Sequence, residues 1–480
     1  MDLRSHARSF GESLDEYGPD KDDVAFLDPQ KLNDIQLDAL KQQIRRLQDR
    51  SPFYRPMLAG RDPEPITSRR WLEDLPLTTK DMYEASPESF RLDIVDADPY
   101  EQLWGLVHTT GTTTGRPTPF YDSGYDMLAY WLTLLRICKI AQMTADDMSV
   151  SLMPVPATSH NAFLAARDAC SVLNAPYVAA FVGQAHPRFP VHRRTDYAVR
   201  LVERNRATVI WGLGNYVRHF VTRASELGAD FSSVRLVWAL GEACPRPMRD
   251  DLRARLGQLG ADPDEVRINN GLGFTEMRGT FVECGDLCGC HNPSPDLFLW
   301  EVVDAETGRQ LPDGELGSLA LTHLDRRGTS LLRYLTGDSV LMRRDQCPNC
   351  GRAGERIMPQ FDSVYAVRNS EWVKFKGVLL HPSPIISALL RITSLAEFQI
   401  VLGKADAHDP LSMDRLVVRC AQSADNNIER AELENVIRVA VQNACEIRPD
   451  VEWTTPTQIF DPTRSVKARR FVDERPNLLS

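Results

Sequence analysis

The sequence predicts an α/β protein: a large N-terminal domain of several subdomains, followed by a small α+β C-terminal domain. Three observations predict it. A chain of 480 residues is longer than a single hydrophobic core organises. Between about residues 100 and 340, short apolar runs such as 208–211 and 235–240 alternate with helical stretches such as 247–256. That alternation is the texture of α/β layering. After residue 362 the texture changes. Two strand-like runs, 398–402 and 415–420, precede an amphipathic helix at 427–443, with Ile428, Leu433, Val436, Ile437 and Val441 among its apolar positions. The expected domains are therefore 1–362 and 363–480.

The remaining elements follow in chain order. Residues 1–30 are polar and acidic. Leu37, Leu40, Ile44 and Leu47 then recur at spacings of three and four, the mark of an amphipathic helix. The segment SPFYRPML follows, bounded by Pro52 and Pro56. Residues 234–240 read as a buried strand. Residues 301–304 and the following TGRQLPDGELG read as a strand and hairpin, with Asp313-Gly314 as the turn. There is no internal repeat and no low-complexity segment.

Composition excludes several classes. Net charge is −10 with a pI near 5.6, which argues against a nucleic-acid or membrane-surface binder. The opening MDLRSHARSF lacks the apolar core of a signal peptide, and no apolar run approaches about 20 residues. A cytoplasmic location is expected. Ten cysteines in a chain of this length do not make a disulfide scaffold. Cys138, Cys170, Cys244, Cys420 and Cys445 read as buried apolar residues. Basic residues are mostly Arg: no lysine lies between Lys139 and Lys374, and Lys467 alone follows Lys404.

Residues 109–120 read TTGTTTGRPTPF. Gly lets the backbone come close, and successive N–H groups form an anion-binding nest, so the loop suits a polyphosphate. Four further motifs follow in order: Gly241-Glu242-Ala243 after the 234–240 run, NNGLGFTE at 269–276, YLTGD at 334–338, and TRSVKARR at 463–470. With these five in order, the chain resembles the adenylate-forming (acyl-CoA synthetase/ligase) superfamily, and within it the phenylacetate–CoA ligase-like branch. The resemblance runs from about residue 32 to about residue 475. It implies the adenylate-forming enzyme fold, with a mobile C-terminal domain, and an ATP-dependent carboxylate–CoA ligase.

Adenylate formation joins a carboxylate to the α-phosphate of ATP and expels pyrophosphate. It needs a phosphate cradle, a divalent cation, a ribose anchor and a cation near the reacting oxygens. The resemblance assigns the cradle to Thr109, Thr110, Gly111, Thr112, Thr113 and Gly115, with an extra Thr (Thr114) and with Arg116 where Lys is usual. It places Gly241, Glu242 and Ala243 along the adenine, with Asn270, Gly273 and Phe274 at the nucleotide. Leu272 holds the position usually aromatic, so adenine stacking falls to Phe274. Thr275 and Glu276 belong to the catalytic motif, Glu276 as the Mg2+ ligand. Asp338 is the ribose anchor. Lys467 reaches the α-phosphate and carboxylate; a flexible point charge suits a transient oxyanion contact. Asp362 is the hinge, and Gln360 stands near the expected hinge arginine, leaving Arg352, Arg356 or Arg368 to substitute. Lys376 and Gly377 match the stretch that serves the second half-reaction.

Cys347-Pro-Asn-Cys350-Gly is a knuckle of the kind that holds zinc, and Cys284, Cys288, Cys290 and His291 cluster upstream. The family branch pairs a Cys and a His seven residues later with a downstream cysteine pair. That spacing implies a structural Zn2+ on Cys284, His291, Cys347 and Cys350, with Cys290 as the alternative to His291. The expected cofactors are thus ATP, Mg2+ and Zn2+, with coenzyme A as co-substrate. The expected partner is a small carboxylic acid, aryl or arylacetic, with no nucleic acid and no membrane. The oligomeric state is open. The same first half-reaction allows a carrier-protein thiol, an amine or nitrite chemistry as its ending. A non-catalytic binding protein of the same fold is the rival class, and joint retention of Glu276, Asp338 and Lys467 argues against it.

Overall fold

A computed structural model describes residues 24–94, 99–109, 117–154, 161–182, 194–360, 364–368, 372–375, 378–406, 409, 412–423, 428–461 and 468–475. The chain forms two compact units. The first comprises residues 1–149, 156–178 and 269–359; the second comprises 150–155, 179–268 and 360–480. The expected boundary at 362/363 lies outside the described residues.

In the first unit, the Pro29–Arg50 helix starts at an Asp28 cap that accepts from the Gln30 amide, with Pro29 in the first turn. Its buried stripe is Leu32, Leu37, Leu40, Ile44 and Leu47, the four expected positions plus one turn N-terminal to them. The main sheet of this unit is antiparallel. Its strands run in the order Phe298–Val303, Leu316–His323, Tyr334–Arg343, Arg356–Met358, Cys290–His291, Gly279–Glu283 and Arg267–Phe274. Phe298–Val303 is buried along its whole length. The Asp313-Gly314 turn is present, with Glu315 N donating to Pro312 O and Gly314 at φ +86°. It forms one corner of a connection longer than a tight hairpin. A separate two-stranded hairpin pairs Leu103–His108 with Pro119–Ser123. Its second strand leads into the Gly124–Ile140 helix through a Ser123/Asp126 capping box.

In the second unit, Val209–Leu213 pairs in parallel with Leu236–Leu240. Trp211 stacks on Trp238 across that pair, with ring centroids 4.8 Å apart. The helices Gly214–Glu226 and Arg246–Gln258 follow these strands. Further along, a four-stranded sheet runs Asp450–Trp453, Asp414–Gln422, Leu395–Lys404, Phe471–Asp473. The Pro382–Leu390 and Arg430–Cys445 helices pack on it around Ile385, Leu389, Ile400, Leu402, Leu433, Ile437 and Val441. The two runs expected as strands and the helix expected after them are all present here. Among the described residues, no helix is long and apolar enough to cross a membrane.

Candidate active site and metal centre

The Thr/Gly loop leaves and re-enters the two-stranded hairpin at a tied neck. Thr109 N donates to Thr118 O at 3.0 Å, and Thr118 N donates to Thr109 Oγ1 at 3.0 Å. Thr118 Oγ1 in turn donates to Glu84 at 2.9 Å, beside Lys80. Thr110, Gly111, Thr112, Thr113, Gly115 and Arg116 lie outside the described residues, as do Asp362, Lys376, Gly377 and Lys467.

Thr275 and Glu276 sit in the turn that joins Arg267–Phe274 to Gly279–Glu283. The turn closes through Arg278 N to Thr275 O at 3.0 Å, with Arg278 left-handed at φ +52°. Three groups brace it. The Arg278 guanidinium pairs with buried Asp122, which also holds Arg326, and lies 4.2 Å over the Tyr130 ring. His323 accepts from Leu331 N at Nδ1, 3.0 Å away. Its other nitrogen, Nε2, is therefore the protonated one and donates to Glu276 O at 3.1 Å. Burial, reinforced by the Arg326 charge, holds the His323 imidazole well below its ordinary range, so the ring stays neutral. Neither Asp122 nor His323 announced itself in the sequence. The signal lay only in contacts between residues far apart along the chain.

Along the same strand, Asn270 N donates to Glu283 at 2.9 Å, and Gly273 is exposed. Phe274 is buried and packs against Trp300 and Phe281. Asp338 lies in the Tyr334–Arg343 strand at a bulge. Ala320 pairs with Leu335 and Ser318 with Ser339, so the partner strand spends two residues where this one spends four. The surplus turns Thr-Gly-Asp out of register, with Gly337 at φ +84°. Asp338 N donates to Thr336 Oγ1 at 3.2 Å, and Asp338 is 3% exposed.

In the second unit, Gly241, Glu242 and Ala243 follow the Leu236–Leu240 strand. Gly241 has φ +71°, and a Cβ there would come within 2.9 Å of Leu213 Cδ2. Both facts require glycine. Glu242 Oε2 accepts from Asn215 N at 3.1 Å, at the start of the Gly214–Glu226 helix, where the helix dipole favours a carboxylate. Buried Gln360 bridges to Val364 through two backbone bonds of 2.6 and 2.8 Å and donates to Tyr365 O. Of the arginines proposed to replace a hinge arginine, Arg352 lies 4.5 Å over Phe26 and Arg356 pairs with Asp345. Arg368 is exposed on a short strand.

The first unit also gathers the cysteines and histidine. One ligand atom from each of Cys284, His291, Cys347 and Cys350 lies within 4.8 Å of every other. Cys284 Sγ is 3.8 Å from Cys347 Sγ and 3.3 Å from His291 Nε2. Cys350 Sγ is 3.6 Å from His291 Nε2. A tetrahedral centre with Zn–S of about 2.3 Å and Zn–N of about 2.0–2.1 Å has S···S edges of roughly 3.8 Å and S···N edges of roughly 3.5 Å. The four groups fit that shape. Asn349 Nδ2 donates to Cys284 Sγ at 3.1 Å, a bond that would orient and stabilise a thiolate there. Burial opposes ionisation of Cys347, yet bonds from His291 and from the Cys350 and Asn349 amides pull it down to about 5. Its neighbour Cys350 is driven up to about 12, first by Cys284 and then by burial. A divalent cation bound by such a cluster would hold its thiols deprotonated.

Comparison with known proteins gives the class of this chain. The model of the AMP-binding enzyme family matches residues 106–323, and that of the AMP-binding enzyme C-terminal domain matches 377–475. The chain belongs to this family, the adenylate-forming enzymes, and has their fold. It is similar to a phenylacetate–coenzyme A ligase of Thermus thermophilus, with 27% identity over 81% of this chain and 82% of that protein. One from Aromatoleum evansii is 24% identical over 93% of this chain and 95% of that protein. Among solved structures, a 2-hydroxyisobutyryl-CoA ligase in complex with 2-HIB-AMP superposes with a TM-score of 0.73 at 20% identity, over 92% of this chain and 90% of that one.

Proposed function

We propose that the chain activates a carboxylic acid with ATP, releasing pyrophosphate, and passes the acyl group from the adenylate to the thiol of coenzyme A, releasing AMP. The acid class we favour is aryl or arylacetic. The observation that carries this is the order of the five motifs within a chain that aligns over 81% and 93% of its length with two phenylacetate–coenzyme A ligases.

In this reading residues 109–115 cradle the β- and γ-phosphates, and Glu276 takes part in holding Mg2+ through carboxylate oxygen. Asp338 accepts from the ribose hydroxyls. Gly241, Glu242 and Ala243 line the adenine. Lys467 stabilises charge on the α-phosphate as the acid oxygen attacks. The acid oxygen forms the new bond to phosphorus, and the bond to pyrophosphate breaks. In the second step the thiol attacks the acyl carbon and AMP leaves. The C-terminal domain, residues 363–480, moves about Asp362 between the steps. Cys284, His291, Cys347 and Cys350 hold a structural Zn2+, whose closed set of four ligands leaves no position for substrate. A cytoplasmic location, where ATP and coenzyme A are at hand, belongs to the same reading.

The test is an acid-dependent ATP–pyrophosphate exchange screen over aryl, arylacetic and small aliphatic acids, followed by thioester analysis with coenzyme A. Exchange with an aryl acid and its thioester are expected. Exchange without thioester would move the acceptor to a carrier protein or an amine. Silence with every acid would end the adenylation reading.

A further inference from the structure

One face of the Gly214–Glu226 helix holds the residue that leads into the Phe471–Asp473 strand. Arg470 Nη2 donates to Asn215 Oδ1 at 2.8 Å. The same guanidinium donates from Nη1 to Phe398 O at 2.8 Å and pairs with Glu397. It lies 4.4 Å over the Phe398 ring. One turn along the helix, Arg218 donates to Ala396 O at 3.2 Å and to Asp251 at 3.0 Å. Ile400 N donates to Arg470 O at 2.8 Å, which registers the segment as it enters the Phe471–Asp473 strand.

Asn215 faces two ways. Its side-chain oxygen takes Arg470, while its backbone N–H gives to Glu242 of the Gly241–Glu242–Ala243 loop at 3.1 Å. It is 8% exposed, so water competes poorly for either bond. Arg470 follows Lys467 by three residues.

We propose that Asn215 is a positioning residue that ties the Gly241–Ala243 loop to the C-terminal segment and, by holding Arg470, sets the approach of Lys467 for adenylate formation. This rests on the reading of Lys467 given above. The physical reason is differential. A bond between a neutral acceptor and a part-buried guanidinium is charge-assisted. If the C-terminal domain turns away for thioester formation, the bond is made in one arrangement only. Removing it lowers the population of that arrangement and leaves the other untouched.

The test uses the full-length protein with Asn215→Ala, which keeps the backbone bond to Glu242. Acid-dependent ATP–pyrophosphate exchange should fall roughly ten- to 150-fold, the loss of one hydrogen bond to a charged group. Thioester formation from synthetic acyl-adenylate and coenzyme A should be unchanged or faster. Asn215→Asp keeps an acceptor oxygen and should restore most of the first half-reaction. Amide hydrogen exchange over residues 468–473 should quicken in Asn215→Ala and not in Asn215→Asp. Equal loss in both half-reactions, or no loss in either, would overturn the proposal. If the parent chain activates no acid, the functional reading fails on its own, and unchanged amide protection in Asn215→Ala would still overturn the tie to Arg470.

Discussion

Cys290 and His291 are neighbours on one short strand and serve opposite faces of it. His291 Nε2 points into the thiol cluster, 3.3 Å from Cys284 Sγ. Cys290 Sγ points the other way and donates to Asn270 O at 3.6 Å. Successive residues of a strand alternate faces, so only one of the two can join Cys347 and Cys350. The geometry selects His291.

Metal content follows from that alternation. Purified protein should carry about one zinc per chain. Cys347→Ser and Cys350→Ser should lower zinc and thermal stability together, because a structural site contributes its binding energy to folding. Cys290→Ser should keep its zinc. Elemental analysis beside thermal melts decides it, and full zinc in both knuckle variants would refute the site.

The roles proposed for Glu276 and Asp338 are separable by substitution. Glu276→Gln keeps shape and removes charge, so it should weaken Mg2+-dependent adenylation far more than it weakens folding. Asp338→Ala should raise the ATP concentration needed for half-maximal exchange. An unchanged ATP dependence in the Asp338 variant would remove it from the ribose site.

Lys467→Ala should cripple acyl-adenylate formation, by about 100- to 1000-fold for the loss of one contact to developing charge. The same variant, given preformed acyl-adenylate and coenzyme A, should form thioester at a near-normal rate. Asp362→Pro should do the reverse, because a rotating hinge must absorb a large backbone change. Single-turnover measurements of each step provide the check, and equal slowing of both steps by Lys467→Ala would count against the assignment.

His381 gives a pH dependence with a definite sign. Its Nδ1 caps the Pro382–Leu390 helix by accepting from Ser383 N at 3.1 Å, and burial holds the imidazole below its usual value. The folded state therefore binds this proton more weakly than the unfolded chain. The stability it lends is complete above about pH 6.5 and is lost as pH falls through the folded value, by at most about 1.4 kcal/mol per pH unit. His381→Asn keeps a capping acceptor and should lack this component. Urea titrations of both proteins between pH 7 and pH 5 should diverge; parallel curves would show that His381 does not contribute.

The Arg333–Glu301 pair is fully buried on both sides, with contacts of 3.1 and 3.3 Å. Glu301→Gln should cost about 3–5 kcal/mol by leaving a buried guanidinium uncompensated. Replacing both residues with apolar ones should cost less. Denaturant midpoints of the single and double variants measure the difference.

The sequence by itself determined the family, through motifs that depend on neighbours along the chain. Thr-Gly-Asp and the Cys-x-x-Cys knuckle each need only a few adjacent residues, with Gly337 and Gly351 supplying the left-handed backbone. The strands and helices of both units were legible for the same reason, since hydrophobic period is a local signal. The tertiary structure decided what register and closure decide. It chose His291 over Cys290 by strand alternation. It brought Cys284 to Cys347 across 63 residues, and turned Asp338 out of the ladder through a bulge that no propensity marks. It set His323 beneath Glu276 across 47 residues, and Asn215 against Arg470 across 255. Pairings of that range carry no period in the sequence, because they arise only when distant elements pack together and bury the groups they share.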